Sequence, residues 1–360
     1  ETPMNQSPLP PPALDKSWNA HRALIYTGVT VAVVLLLLAL WYLSDVVLLT
    51  FAGILLAIFL RGLALGLCHW TRIPLGLGII LVILLFFTAI TGAIWWMGPY
   101  VINGIDQLAR EIPQALERLQ AYVARHPDLE RIVDFIRAHS QGDGMVPVQE
   151  LGKRLAGIFY TTLGAVTAIL IILVNGLYLM VNPGVYVRGL VHLISQRRRS
   201  RAREVLEELE YALRWWLVGR ITSMVVVGLL TYIGLMLLGV SSAPILALIA
   251  GLLAFVPNIG PVLSAIPAVL SAYSESLNLA LWVIMLYIVI QTIESYLITP
   301  VIQWKAVTVP PALLLASQLA LGIAFGLLGL FLANPITVVL LVLVQMLYVS
   351  DMLRDDIQPP

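Results

Sequence analysis

Charged residues are scarce in this sequence of 360 amino acids. Asp, Glu, Lys and Arg make up 11% of the residues, whereas a soluble globular domain has about 25%. Hydrophobic residues make up 60%, and the mean hydropathy is +0.93. A soluble protein of this size needs a charged surface that this composition does not supply. The sequence therefore excludes an ordinary soluble domain and predicts a polytopic membrane protein.

Residues that build redox centres, metal sites and nucleotide sites are also few. Cys68 is the only cysteine, which excludes an internal disulfide and a cluster of thiolate ligands. The five histidines lack metal-ligand spacing, and no glycine-rich loop ends in Gly-Lys-Ser/Thr. We therefore expect no cofactor, no metal and no ATP hydrolysis by this chain. An enzyme is not expected either, and a net charge of +1 gives no reason to expect a nucleic-acid partner.

Long uncharged runs indicate where the chain crosses the membrane. The longest, between Arg220 and Glu275, has 54 residues. About 20 apolar residues can span the hydrocarbon core, so this run holds more than one crossing. We predict an all-α chain with about seven or eight transmembrane helices. Its segments are transmembrane helices 1–3 in 23–105 (at 23–44, 46–60 and 73–105), an extracytoplasmic helical insertion at 106–154, transmembrane helix 4 at 155–187, a basic helical segment at 188–220 and an apolar core at 221–350.

The distribution of charge predicts the orientation in the membrane. The insertion 106–154 has seven basic and eight acidic residues, whereas 188–220 has eight basic and four acidic. Since cytoplasmic loops are enriched in Lys and Arg, we assign 188–220 to the cytoplasm and the insertion to the outside. The proline-rich segment 1–22 is expected to be a disordered cytoplasmic tail and not a cleavable signal. The tail 351–360 lies inside if 244–274 crosses the membrane once and the second interrupted segment re-enters, and outside if both segments re-enter. We expect it to lie inside.

Two segments of the apolar core contain residues that break helices. In 244–274, Pro257 and Pro261 flank Asn258 and Gly260. Proline removes a helical hydrogen bond and clashes with the preceding turn, so a helix cannot continue here. Helices of about 13 residues on either side are roughly 20 Å long, too short to cross a core of about 30 Å separately. The segment is therefore predicted to be a helical hairpin or a sharply broken span.

The second interrupted segment is 312–335. It contains Gln318, three glycines and Asn334-Pro335, and it is predicted to be another broken hairpin, followed by a last helix over 336–349. Freed backbone groups at membrane depth are tolerated only where protein or a water-filled cavity satisfies them. Two interrupted segments in corresponding positions are typical of the binding site of a transporter.

Three short motifs in this half of the chain resemble those of the autoinducer-2 exporter family of bacterial membrane proteins. They are 255–261 (FVPNIGP) with 266–268 (IPA), Glu294 with Pro300, and 322–329 (GIAFGLLG) running on to 333–335 (ANP). The order of spans, the outside insertion and the basic helix also agree, so the resemblance covers residues 20–353. One departure is that the family usually has a glycine near Trp304, where this chain continues with Lys305.

This resemblance implies a secondary exporter of small molecules in the bacterial cytoplasmic membrane. It implies two helical hairpins that form the substrate site, an elevator-like motion and a homo-oligomer, expected to be a pentamer. The implied substrate is a small polar solute, such as an autoinducer-2-like signal or a related metabolite. Other members of the family are regarded as sodium/proton antiporters.

Glu294 is the strongest candidate for a functional residue, because an ionisable group inside a span is costly and by default functional. We expect it to couple transport to a proton or a cation, with Gln291 one turn before it on the same face. The alternative is that Glu294 pairs with Lys305 at the membrane interface and holds a loop. Glu275 could serve the same role, but its Ser and Asn neighbours are typical of a solvated loop.

Four further residues are candidates for contacts with the substrate. Asn258 offers amide donors and an acceptor beside the backbone freed at Gly260, and its alternative role is to cap a helix. Gln318 and Asn334 are expected to face the same cavity from the second interrupted segment. For each of these two, a hydrogen bond between helices is the alternative.

Three functions remain open at this point. The leading one is export of a small polar solute, coupled to a proton or sodium gradient. A cation/proton antiporter is the alternative, but such exchangers usually have paired carboxylates, and Glu275 and Glu294 would lie about 29 Å apart if the chain between them were helical. A non-transporting membrane scaffold acting through 106–154 belongs to a different class. The interrupted segments argue against it, because unsatisfied backbone in lipid is expensive without a cavity to serve.

Overall fold

The computed structural model describes residues 41–125, 162–298 and 309–353, together with the isolated positions 28, 30, 31, 35 and 38. The chain divides into two compact units, Glu1–Val47 and Leu48–Pro360. In the first unit, the described residues are helical apart from a turn at Leu43. The second unit contains every candidate site residue. Across the described ranges the protein is helical and has no strand, which confirms the predicted all-α class.

The described residues form nine α-helices, which are numbered here in chain order. They are α1 (Ser44–Thr71), α2 (Leu75–Ala124), α3 (Thr162–Val181), α4 (Pro183–His192), α5 (Arg199–Leu237), α6 (Ala243–Leu253), α7 (Ile259–Glu275), α8 (Leu277–Ile293) and α9 (Pro311–Leu343). A π-helical turn, Glu294–Ile298, follows α8, and a second one, Val344–Leu353, follows α9.

Five of the described helices are long and apolar enough to cross a membrane. The number rises to six if α3 and α4, which meet at 84°, form one broken span. The bend lies at Asn182-Pro183, where the sequence predicts a turn. Because most of the predicted first span, 23–44, lies outside the described residues, this number is compatible with the predicted seven or eight.

Helix α2 differs from the prediction because it does not end at residue 105. It runs for 50 residues through Pro99 and Pro113, so the span 73–105 and the start of the insertion are one continuous helix. At about 1.5 Å per residue it is roughly 75 Å long, more than twice the thickness of the hydrocarbon core. The predicted boundary at 106 is therefore a change of composition and not a break of the backbone. The rest of the insertion lies outside the described residues.

Helix α5 likewise joins two segments that the sequence separates. The arginine-rich part of 188–220 and the predicted span that follows it form a single helix of 39 residues. Arg220 therefore lies inside this helix, about 29 Å along it from Arg201. A helix this long carries residues from one membrane face into the apolar core.

Helices α6 and α7 form the first hairpin, with residues 254–258 as its tip. Ser242 just before α6 and Ser271 near the end of α7 have hydroxyl oxygens 2.6 Å apart, so the two arms return to the same end. Gly260 makes the close approach possible, since a Cβ there would overlap the carbonyl oxygen of Leu253. Segment 244–274 is therefore a helical hairpin, which is one of the two forms that the sequence left open.

Helix α9 forms the second hairpin, which reverses at one of the three glycines of the predicted segment and continues beyond the predicted end at residue 335. Gly326 has φ +63° and ψ −144°, a conformation that only glycine adopts cheaply, and the chain reverses there. Gly329 then lies against the carbonyl of Leu321, so that the two arms touch. Asn334 and Pro335 were predicted to end the hairpin, which is wrong, because both are buried inside the returning arm. The predicted last helix, 336–349, is the continuation of that arm and not a separate span.

Each hairpin packs into its own apolar cluster. The first hairpin packs with α2, α5 and α8 around Leu108, Leu235, Leu246 and Val283. The second packs with α1 and the N-terminal half of α5 around residues that include Leu55, Leu213, Trp216, Leu332 and Val338. The two clusters involve opposite halves of α5. The hairpins therefore enter from opposite ends of this helix.

Candidate functional site

The tip of the first hairpin is held by side chains from two other elements. Arg220 of α5 donates from Nε to the carbonyl oxygen of Phe255 at 2.9 Å and from Nη2 to that of Ala254. These carbonyls follow the last turn of α6, where backbone acceptors lack helical partners. They also carry the partial negative charge of a helix C-terminus. Arg220 therefore caps α6 with a positive charge at the centre of the core.

Glu294 provides the opposite charge. Its Oε1 lies 3.7 Å from Nη1 of Arg220, and the two side chains are only 6% and 12% exposed. Glu294 begins the π-helical turn after α8, which carries its carboxylate back toward α5. A buried ion pair with hydrogen-bonded partners is one of the few ways to keep a charge inside an apolar core. The pair joins α5, α8 and the tip of the first hairpin.

Gln291 completes this part of the site. Its Nε2 lies 3.5 Å from Oε2 of Glu294 and 3.4 Å from Oγ of Ser295, and it donates to both. The structure thus brings Gln291 and Glu294 together. Lys305 and Pro300, which the sequence associates with Glu294, lie outside the described residues.

Gln318 connects the second hairpin to the tip of the first. Its side chain is completely buried, and its Nε2 donates to the carbonyl oxygen of Pro257 at 3.1 Å. Because a carbonyl can only accept, this contact fixes the orientation of the amide. Its Oε1 is buried and has no hydrogen-bond donor among the described residues. Phe255 and Phe331 stack beside this contact, with ring centroids 5.7 Å apart.

An open groove runs along the second hairpin where it meets the first. It has a volume of about 390 Å³, and Gln318 is its one polar side chain. The other lining residues are Ile259, Leu319, Gly322, Ile323, Gly326, Leu327 and Leu330. Two of the glycines of the 322–329 motif therefore provide space at the contact between the hairpins.

The remaining candidates lie apart from the ion pair. Asn258 is exposed at the tip with φ +63°, and its side chain makes no capping hydrogen bond to α7. Asn334 is buried on the returning arm of the second hairpin and does not line the groove. Glu275 is exposed at the far end of α7. The 17 residues of α8 separate it from Glu294 by roughly 26 Å, so the two carboxylates form no common site.

Arg220 is the residue of this candidate site that sequence reasoning missed. It was counted with the basic cytoplasmic segment because it is the last charge before a run of 54 uncharged residues. A usable signal was present, since apolar residues flank Arg220 on both sides, and an arginine within an apolar helix is costly and usually functional. What the sequence does not provide is its partner, because Arg220 and Glu294 are 74 positions apart.

A second polar cluster lies at the open end of the first hairpin. Ser271 donates to Glu111 of α2 and contacts the hydroxyl of Ser242, while Gln107 donates to the other oxygen of Glu111 at 2.6 Å. Arg118 donates to the carbonyl of Ser274. The part of α2 beyond residue 105 is therefore fastened to this end of the hairpin. In the described ranges, neither polar cluster brings together three His, Cys, Asp or Glu side chains that could hold a metal ion.

Comparison with known proteins places this architecture in a family. Residues 30–348 match the family model described as "AI-2E family transporter". The chain is 26% identical to "Putative transport protein YrrI" of Bacillus subtilis, over 81% of this chain and 85% of that protein. It is 22% identical to "Putative transport protein YueF" of the same organism, over 74% of each.

A third relative comes from a different bacterium. "Putative permease PerM" of Escherichia coli is 23% identical over 71% of this chain and 72% of that protein. The matches cover both hairpins, α5 and α8, and the family match spans most of the chain. They confirm the resemblance found in the motifs around the two hairpins. The chain therefore belongs to the AI-2E family of transporters.

Proposed function

We propose that this protein is a secondary transporter that exports a small polar solute, an autoinducer-2-like signal or a related metabolite, across the bacterial cytoplasmic membrane. Export is coupled to a proton or sodium gradient through Glu294. The observation that carries this proposal is the buried Arg220–Glu294 pair at the tip of a re-entrant hairpin. A purely structural membrane protein has little reason to keep two charges inside its apolar core.

The two hairpins provide a route for alternating access. They enter from opposite ends of α5 and meet where Gln318 binds the carbonyl of Pro257. Opening the first hairpin would expose the meeting point to one side of the membrane, and opening the second would expose it to the other. Interrupted helices that meet near the midplane are the usual architecture of secondary transporters. In this proposal the protein works as a homo-oligomer, with its N-terminus in the cytoplasm.

The alternatives fit this site less well. In a cation/proton antiporter, a cation bound to Glu294 would have to compete with the guanidinium of Arg220, whose Nη1 is 3.7 Å away. A scaffold that worked through 106–154 would not need a buried ion pair at a hairpin tip. An intramembrane enzyme would need a nucleophile or acid–base pair beside the site, whereas this pair holds a structural contact with backbone carbonyls.

Flux into sealed proteoliposomes under an imposed pH gradient tests the proposal. We would compare the intact chain, Glu294→Gln and the matched control Glu275→Gln, which neutralises the exposed carboxylate at the other end. The solutes are a labelled small polyol-like signal, labelled lactate and labelled sodium. We expect gradient-dependent flux of one of the two organic solutes that only Glu294→Gln abolishes, while size-exclusion chromatography shows all three proteins folded. Sodium flux alone would favour the antiporter, and flux that survives Glu294→Gln would refute coupling through this residue.

A further inference from the structure

Arg220 is a buried charge whose neutrality depends on Glu294. Among the described residues, Glu294 is the only charged group that Arg220 contacts, and the other two contacts are backbone carbonyls. Neither hairpin carries another charge, apart from the exposed Glu275 at the far end of α7. Lys305, the remaining charged residue of 221–350, lies outside the described residues.

Titratable groups on the surrounding helices do not replace Glu294 as the counter-charge. Tyr287 of α8 donates its hydroxyl to the carbonyl of Ser264. Arg214 lies on the side of α5 that faces Gly62 of α1. Tyr232 of α5 and Tyr273 of α7 are hydroxyls that carry no charge at neutral pH.

Neutralising Glu294 therefore has a defined consequence. A proton that binds to its carboxylate removes the negative charge and leaves Arg220 buried with a full positive charge. The carbonyls at the end of α6 supply only about half a unit of negative charge. A buried ion without a partner is strongly unfavourable, and removing one member of a buried pair costs more than removing both. Protonation of Glu294 is therefore stable only if a second negative group binds to Arg220.

We propose that the transported solute is a small monoanion that binds Arg220 while Glu294 holds one proton. This inference rests on the proposed function and specifies the chemical class of its substrate. The proton adds to a carboxylate oxygen of Glu294, and the anion takes the place of that carboxylate at Nη1 of Arg220. The bound anion then supplies the negative charge beside Arg220 that the carboxylate of Glu294 supplies in the empty site. One proton and one anion leave the cell together, so that the outward gradient of the anion drives export, and on release Glu294 loses the proton and pairs with Arg220 again.

Linkage makes this scheme testable without the natural solute. If the proton favours the anion, the anion must favour the proton by the same factor. Glu294→Gln imitates the protonated carboxylate in size and charge, so this variant should hold an anion at any pH. Arg220→Gln in the Glu294→Gln background removes both charges and leaves the core neutral. That double variant avoids the unpaired carboxylate that would destabilise Arg220→Gln alone.

The experiment measures thermal unfolding of the purified full chain in detergent at pH 5.5 and pH 8. The probes are sodium lactate, sodium acetate and sodium formate, which are monoanions at both pH values, each titrated at constant ionic strength against sodium chloride. We expect at least one probe to stabilise the wild type more at pH 5.5 than at pH 8, and to stabilise Glu294→Gln equally at both. At pH 8, the apparent affinity of Glu294→Gln should exceed that of the wild type by about tenfold or more. Glu275→Gln should behave as the wild type, and the double variant should not respond.

Three results would overturn the inference. They are an equal response of the double variant and Glu294→Gln, a wild-type response that does not depend on pH, and no response to any of the three anions. Flux of a neutral solute or sodium in the proteoliposome assay, combined with any of these results, would reject the anion and leave transport standing. The absence of all flux, including that of the three anions, would reject the proposed function itself.

Discussion

Arg201 at the start of α5 binds Asp351 near the end of the described chain. Its Nη2 lies 3.0 Å from Oδ1 of Asp351 and its Nε 3.2 Å from Oδ2, and it also donates to the carbonyl of Met346. The end of the second hairpin therefore lies beside the arginine-rich end of α5. Because both interrupted segments fold back as hairpins and the returning arm replaces a separate last span, the end of the described chain lies on the same side as the arginine-rich segment.

The first prediction concerns this topology. The variants Ser200→Cys and Ser350→Cys are each made in a Cys68→Ser background, so that each protein has one cysteine. Both should react with a membrane-impermeant maleimide from the same side of the membrane. A cysteine at Ser276, which is exposed at the opposite end of α8, should react only from the other side. Labelling in right-side-out and inverted vesicles measures this. Reaction of positions 276 and 350 from one side would contradict the arrangement of the hairpins.

The second prediction concerns the stability of the Arg220–Glu294 pair. Arg220→Gln should destabilise the fold by about 3–5 kcal/mol, because it leaves a buried carboxylate without its guanidinium. Adding Glu294→Gln should recover a large part of this loss. Thermal unfolding of the two single variants and the double variant in detergent gives the coupling between the residues. Additive losses would show that the pair does not act as a unit.

The third prediction concerns the tip of the first hairpin. Gly260→Ala should destabilise the protein by about 1–3 kcal/mol or more. The Cβ of the new alanine would overlap the backbone carbonyl of Leu253, and a backbone group cannot move aside as a flexible side chain can. Gly66→Ala is the matched control, because a Cβ there would meet no atom within 4 Å. It should be neutral or slightly stabilising, as expected for alanine within a helix. Equal melting temperatures of the two variants would argue against the close approach of the arms.

The fourth prediction concerns the contact between α2 and the open end of the first hairpin. Ser271→Ala removes the hydroxyl that Glu111 and Ser242 share, and it should cost about 1–3 kcal/mol because both groups lose a partner. Ser274→Ala is the control, since that hydroxyl bonds only a carbonyl of its own helix. Hydrogen exchange over 106–118 should increase in Ser271→Ala alone. Unchanged exchange there would show that α2 is held by its apolar contacts.

The sequence located the first break correctly because its cause is local. Pro257, Pro261 and the glycine between them remove helical hydrogen bonds wherever the rest of the chain lies. For the second hairpin, predicted over 312–335, the sequence offers three glycines and Asn334-Pro335 as possible breaks, and the chain reverses at Gly326. A proline can stay within a helix if packing compensates for one lost bond, and Pro335 is fully buried. Tertiary contacts therefore decide which of several helix-breaking residues bends the chain.

The sequence by itself determined that this is an all-helical membrane protein with an interrupted core and a carboxylate in its apolar part. Composition and hydrophobic runs suffice for this, because every residue of a span must be apolar enough for lipid and must have its backbone hydrogen bonds made within the protein. Only the tertiary structure decided that Arg220 lies against Glu294 and that Gln318 joins the two hairpins. These contacts connect residues between 61 and 74 positions apart. They depend on how the helices pack, which local sequence patterns do not encode.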